Sequence, residues 1–172
     1  ESTAMVTNTE LGMKLCVWHP KQKPIAAILD PTVTFELPKN LTAWTGVDAL
    51  VHAIEAYSMN SLHSVADGMA LEALNLIGKN LETVVKNPHD IEARGAMLIG
   101  SCLAGISFKK GLGLVHAISH MIGAIYDTQH GLTNAVLLPA ILRFNASEIY
   151  HKVEMMNYVT FSEKGNFENF YY

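Results

Sequence analysis

Thr45-Gly-Val-Asp-Ala-Leu-Val-His-Ala-Ile-Glu-Ala-Tyr-Ser-Met-Asn60 decides how this chain folds. Val47, Leu50, Val51, Ile54 and Tyr57 recur at three- and four-residue steps, so one face of a helix over 45–60 is apolar. Asp48 and His52 lie four residues apart, on one face and about 6 Å apart along the axis. Glu55 continues that face. A carboxylate and an imidazole so placed can reach a single cation. They also fit a plainer reading, with Thr45 as helix cap, Asp48 near the N-terminal dipole and His52 exposed.

Outward from this helix the period stays helical. Stretches 65–86, 90–108, 114–126, 132–144 and 148–158 read as further helices. Asn87-Pro88 stops the first of them, two glycines around Leu112 make a loop of 109–113, and Pro139 is expected to split 132–144. Residues 1–35 read instead as β structure. Met13–Trp18 is a mixed apolar run, and Ile25–Leu29 reads as a short buried strand closed by Asp30-Pro31. The chain is thus mainly α. The expected units are 1–35, a β-containing edge, and 36–172, a helical domain. With no initiator Met before Glu1-Ser-Thr and no stop signal at Asn169-Phe-Tyr-Tyr172, it reads as a piece of a larger protein.

Composition narrows the classes. Of 172 residues, 49% are hydrophobic and 16% charged, so helices with buried faces or a large hidden interface are expected. The net charge is -4 with scattered Lys and Arg, which argues against nucleic acid. No uninterrupted apolar run approaches about 18–20 residues, so no membrane span is expected. Cys16 and Cys102 match no disulfide or metal pattern, and a reducing cytoplasm is the default.

Four of the eight histidines, His52, His116, His120 and His130, lie in apolar helical surroundings. His19, His63, His89 and His151 have the neighbours of ordinary surface or loop residues. In Gly111-Leu-Gly-Leu-Val-His116-Ala-Ile-Ser-His120, two imidazoles again fall four apart, and burying them is unfavourable unless each is hydrogen-bonded or coordinated. His130 follows a break that can return it toward His116. One Asp and three His make a mixed oxygen–nitrogen set suited to Fe(II) or Zn(II). Asp48, His52, His116 and His130 around a divalent ion leave a net charge of about +1 and room for one substrate oxygen. His120 is then free to relay a proton; were it a ligand, His130 would leave the set.

The run from Thr45 to Tyr57 and the run from Gly111 to Tyr126, continued by His130-Gly-Leu-Thr-Asn134-Ala-Val-Leu-Leu-Pro139, resemble the two signatures of the iron-dependent (group III) alcohol dehydrogenases. The resemblance covers the chain to about residue 150 and leaves the last twenty residues without a signature. It implies a helical metal-binding domain of the dehydroquinate synthase-like type, preceded by a remnant of an α/β dinucleotide-binding domain. It implies Asp48, His52, His116 and His130 as metal ligands and His120 near the nicotinamide. It implies Phe108 as a wall of the substrate pocket, and Thr3 and Lys14 as contacts to NAD or NADP. For Lys14 the alternative is a solvated edge-strand lysine. The implied reaction is hydride transfer between a small alcohol and its aldehyde or ketone, in a homo-oligomer of two or more subunits. The Gly-rich phosphate-binding segment is expected upstream of residue 1. Two other readings stay open: a glycerol dehydrogenase or dehydroquinate synthase-like enzyme, and a non-catalytic helical fragment stapled by metal.

Overall fold

The computed structural model describes residues 3–161, with Thr3 as backbone alone. Strands β1 (Thr3–Asn8) and β2 (Met13–Trp18) form an antiparallel hairpin that pairs Thr3 with Trp18 and Thr7 with Lys14. Asn8 shapes the turn: its Oδ1 accepts from the backbone N–H groups of Glu10 (3.0 Å) and Leu11 (2.9 Å). Gly12 closes it at φ 61°, a left-handed conformation open to glycine.

The expected strand at Ile25–Leu29 is absent. These residues are irregular, and Ile25 and Ile28 are fully exposed or nearly so. A strand needs a neighbour for its N–H and C=O groups, and among the described residues none runs beside this segment. Asp30 instead caps a short 3-10 turn over Pro31–Thr34, accepting from Thr32 N at 2.9 Å.

Six helices follow: α1 (Lys39–Ser58), α2 (Ser64–Lys86), α3 (Ile91–Ser107), α4 (Leu114–Tyr126), α5 (His130–Phe144) and α6 (Ala146–Phe161). Helix α1 starts directly after Pro38, well before Thr45. Thr45 is therefore not a cap; its hydroxyl donates to the Leu41 carbonyl at 2.7 Å inside the helix. Asp48 then lies beyond the first turn, where the helix dipole has little hold, so the plainer reading of that carboxylate fails. Pro139 does not split α5. One lost N–H bond is tolerated where the helix packs on α1 and α4.

Helix α3 is capped by Asp90, whose Oδ1 accepts from Ala93 N at 3.0 Å. Asp90→Ala is expected to lower stability by about 1 kcal/mol, read by urea unfolding, because that N–H loses its partner. The stretch Ile91–Lys110, interrupted by Glu92 and Arg94, is long and apolar enough to cross a membrane by length and composition alone. Here it packs against α1 and α2. Its buried Arg94 donates through Nε to the Pro88 carbonyl (2.8 Å) and through Nη1 to Thr42 Oγ1 (3.3 Å).

The core joins Ala49, Ala53 and Ile54 of α1 to Ala70, Ala73, Leu74 and Ile77 of α2, and to Ile149, Val153 and Met156 of α6. Alanines on the facing stripes let the helices approach closely, and each larger aliphatic side chain buried there contributes about 1.5–3 kcal/mol. A second cluster, Val51, Val115 and Ile141, locks α1, α4 and α5 together. At the far end Lys152 of α6 donates to the carbonyls of Tyr57 (2.9 Å) and Met59 (2.7 Å), satisfying the end of α1. The apolar excess has a visible counterpart: Met121, Ile125 and Tyr126 of α4 and Val136 and Phe144 of α5 are exposed.

Candidate metal centre

The small cluster that locks α1, α4 and α5 also aims their polar residues at one point. Asp48 and His52 come from α1, His116 from α4 and His130 from the first turn of α5. Asp48 Oδ1 lies 3.3 Å from His116 Nε2 and 3.5 Å from His130 Nε2. Donor atoms of Asp48, His52 and His116 all fall within 4.8 Å of one another. The His52 and His116 rings are 4.2 Å apart between centroids, and those of His116 and His130 5.3 Å. The side chain of His116 is 1% exposed, whereas Asp48 and His130 keep 24% and 28%. The cluster therefore has a buried floor and an open mouth.

Each imidazole is turned by its Nδ1. His52 Nδ1 donates to the Asp48 carbonyl at 2.8 Å. His116 Nδ1 donates to Glu55 Oε2 at 2.6 Å. His130 Nδ1 faces Ser119 Oγ at 3.5 Å, and that hydroxyl already spends its proton on the His116 carbonyl. With Nδ1 as the donor, each ring in its neutral form presents a lone pair on Nε2. The cluster is thus rich in acceptors. Asn134, fully buried, is the donor set among them: its Nδ2 lies 2.6 Å from Asp48 Oδ1 and 3.2 Å from both His116 Nε2 and His130 Nε2. An amide with two protons cannot serve all those lone pairs, and Asn134 Oδ1 is itself buried without a partner. Converging, under-satisfied lone pairs fit a divalent cation.

The electrostatics agree. Burial pulls the His116 imidazole down, but hydrogen bonds and charges from Asp48 and Glu55 outweigh it and hold the group at about 9. Burial, aided by the charges of His116, His120 and Lys14, pushes His130 down to about 4 against the pull of Asp48. Burial likewise opposes ionisation of Asp48, yet the His116 hydrogen bond and the surrounding imidazoles keep its carboxyl below the ordinary value. Without a metal, positive charge concentrates on one imidazole, since neighbouring imidazoles cannot all charge together.

The remaining expected residues gather around this point. His120 stands one turn beyond His116, with its ring 5.1 Å from that of His130 and 6.0 Å from that of His116. Burial first, then the charges of His116 and Lys14, lower its pKa and favour a neutral ring. Phe108 lies 5.0 Å from the His52 ring and meets His116 edge-on at 6.2 Å. Lys14 is half-buried and points from β2 at α4; a Cβ on Gly123 would stand 3.2 Å from its Nζ. It is thus no solvated edge lysine. The side chain of Thr3 lies outside the described residues.

Glu55, Ser119 and Asn134 were not among the expected site residues. Two carried a signal. Glu55 is an acid next to Ile54 in an otherwise apolar stretch, and Asn134 sits four residues after His130. Ser119 carried none, because its role depends on α4 and α5 meeting.

The sequence description of the Fe-containing alcohol dehydrogenase family, C-terminal part, matches residues 42–169. The match runs past residue 150, so the chain's end shares more with the family than the two signatures alone suggest. The chain is 43% identical over 145 residues to the probable alcohol dehydrogenase EutG of Escherichia coli, covering 84% of this chain and 37% of that protein. It is also 43% identical over 145 residues to the NAD-dependent methanol dehydrogenase of Bacillus methanolicus, covering 84% of this chain and 38% of that one. This chain therefore spans well under half the length of the curated relatives it matches. A crystal structure of a 1,3-propanediol oxidoreductase superposes with a TM-score of 0.89 at 37% identity, covering 94% of this chain and 43% of the other. The iron-containing alcohol dehydrogenase of Thermotoga maritima gives 0.83 at 31% identity, covering 98% and 45%. A shared fold, a sequence match over most of its length and a cluster of carboxylate and imidazole donors place the chain in the Fe-containing alcohol dehydrogenase family.

Proposed function

We propose that this chain forms the metal-binding half of an NAD(P)-linked alcohol dehydrogenase that interconverts a small alcohol and its aldehyde or ketone. The observation that carries this reading is the convergence of Asp48 Oδ1, His116 Nε2 and His130 Nε2 on one point, all within 3.2 Å of the Asn134 amide nitrogen. Asp48, His52, His116 and His130 would hold Fe(II) or Zn(II). A metal held there would supply Lewis-acid polarisation of a substrate oxygen, and a bound nicotinamide would supply the hydride chemistry.

The chain's own residues do the rest. The open side of the cluster, between Asp48 and His130, admits the substrate. In the oxidation direction the alcohol proton passes to His120, whose lowered pKa keeps a free imidazole to receive it, and returns by the same ring in reduction. Phe108 walls the pocket beside His52 and excludes water. Lys14, aimed at α4 next to His120 and His130, together with Thr3, would hold NAD or NADP against the metal. Residues 1–35 would then be the edge of the dinucleotide-binding domain, and 36–172 the helical catalytic domain. Relatives named for methanol and 1,3-propanediol support a short, small alcohol as the substrate class. The exposed apolar faces of α4 and α5 support burial against further protein, in an assembly of two or more subunits. The free thiols of Cys16 and Cys102 support a reducing cytoplasm as its setting.

Metal analysis after anaerobic purification tests the reading. The wild-type chain is expected to retain Fe or Zn, and Asp48→Ala to lose it together with the alcohol-dependent reduction of NAD(P) by the enzyme that carries this chain. Undiminished metal content in Asp48→Ala would sink the assignment.

A further inference from the structure

We propose that Glu55 is a positioning residue for the metal centre: reaching from α1 to α4, its carboxylate selects the His116 orientation and tautomer that leave Nε2 free for a cation. The inference rests on the reading of the Asp48 cluster as a metal site and adds a determinant of its affinity.

Glu55 is 5% exposed, on a helix whose neighbouring residues are apolar. A buried carboxylate is costly unless its lone pairs are met. Here both oxygens are used. Oε1 accepts from Val115 N at 2.7 Å, and Oε2 accepts from His116 Nδ1 at 2.6 Å and from His116 N at 3.4 Å. The same side chain thus satisfies free N–H groups in the first turn of α4 and grips the imidazole that this turn carries. Gly113 makes the approach possible. It is the N-cap position of α4, has no side chain to cap with, and a Cβ there would come within 2.8 Å of Glu55 Cδ. Glu55 supplies from across the interface the cap that Gly113 lacks.

Capping alone would be served by any acceptor. The contact to Nδ1 asks for more. A carboxylate only accepts, so a ring proton must sit on Nδ1, and the neutral ring then keeps its lone pair on Nε2, which faces Asp48 Oδ1 at 3.3 Å. A carboxylate behind the ring also strengthens Nε2 as a donor to metal. Glutamine separates the two roles. Its carbonyl can still cap Val115 N, but its NH2 would face Nδ1 and donate, forcing the proton onto Nε2 and blocking coordination.

The experiment is Co(II) titration of the 172-residue chain, wild type against Glu55→Gln and Gly113→Ala, with the visible Co(II) bands and the metal-free melting temperature recorded alongside. Loss of an outer partner of a ligating histidine typically weakens metal affinity 10–100-fold. A loss of about that size, with altered Co(II) bands and a melting temperature near wild type, is expected for Glu55→Gln. Gly113→Ala, which displaces Glu55 without removing it, is expected to shift both readouts the same way. A weakening matched by an equal loss of metal-free stability would assign Glu55 to capping alone and overturn the proposal, as would wild-type affinity and bands. A wild-type chain that takes no Co(II) would remove the metal reading and this inference with it, whereas a wild type that binds beside an unaffected Glu55→Gln removes this inference alone. Nitrogen NMR of the Zn(II)-loaded wild type checks the tautomer without any variant: a proton on Nδ1 of His116 supports the assignment, and metal on Nδ1 overturns it.

Discussion

His116→Ala is expected to abolish metal retention and to lower the stability of the metal-free chain by about 3 kcal/mol. The first effect follows from position. His116 is the buried floor of the cluster, its Nε2 3.3 Å from Asp48 Oδ1. Loss of a ligand should exceed the roughly 100-fold upper range for loss of an outer partner. The second effect concerns the residue left behind. Without the imidazole, Glu55 Oε2 loses its 2.6 Å partner while the carboxylate stays 5% exposed. Breaking a buried charged pair from one side typically destabilises by about 3–5 kcal/mol. The low end applies because the backbone N–H groups at 115 and 116 still donate to Glu55. Urea unfolding with and without Zn(II) separates the effects. In wild type, metal at 100 times its dissociation constant should add about 2.7 kcal/mol. In His116→Ala that increment should vanish, and a variant that kept it would refute the ligand assignment.

Gly131→Ala is expected to lower stability by about 3 kcal/mol, a fall in Tm of roughly 6–12 °C, and to weaken metal binding although no ligand is touched. Gly131 lies where α5 crosses α1. A Cβ there would sit 2.7 Å from the carbonyl carbon of Trp44 and 3.3 Å from Cβ of Asp48. Ordinary carbon contact is about 3.5 Å, so the first gap is short by about 0.8 Å. The obstacle is helix backbone and cannot rotate away, so α5 must move off α1. His130 precedes residue 131 and Asp48 lies opposite, so that movement separates two expected ligands. Metal sites tolerate displacements of about 0.2 Å. Thermal melting and Co(II) titration of the same sample should therefore both shift. A variant that melts lower but binds metal normally would show that the crossing supports the fold without setting the site.

The helices of this chain were legible because each carries its own periodic signal. The stretch at 114–126 is read from one apolar run behind Gly113, and α4 has those bounds. The start of α1 was not legible: Lys39, Asn40 and Thr42 break the apolar pattern, and the helix holds there because Thr42 is buried against Arg94 of α3. Ile25–Leu29 failed for the opposite reason. Its composition suits a strand, but pairing is a property of a neighbour, and no described strand is beside it.

The donor set shows the same division. That Asp48 and His52 share a helical face, and that His116 and His120 do, follows from the 3.6-residue turn and needs no tertiary information. So did the choice of chemistry, because oxygen and imidazole donors in apolar surroundings favour a transition metal. Which histidines face Asp48, which nitrogen of His116 and His130 points at it, and which residues hold them there were decided by the crossings of α1, α4 and α5 around Val51, Val115 and Ile141. Glu55 reaches His116 across 61 positions and Asn134 reaches Asp48 across 86. Contacts of that span arise from packing, which brings together residues whose spacing along the chain carries no period.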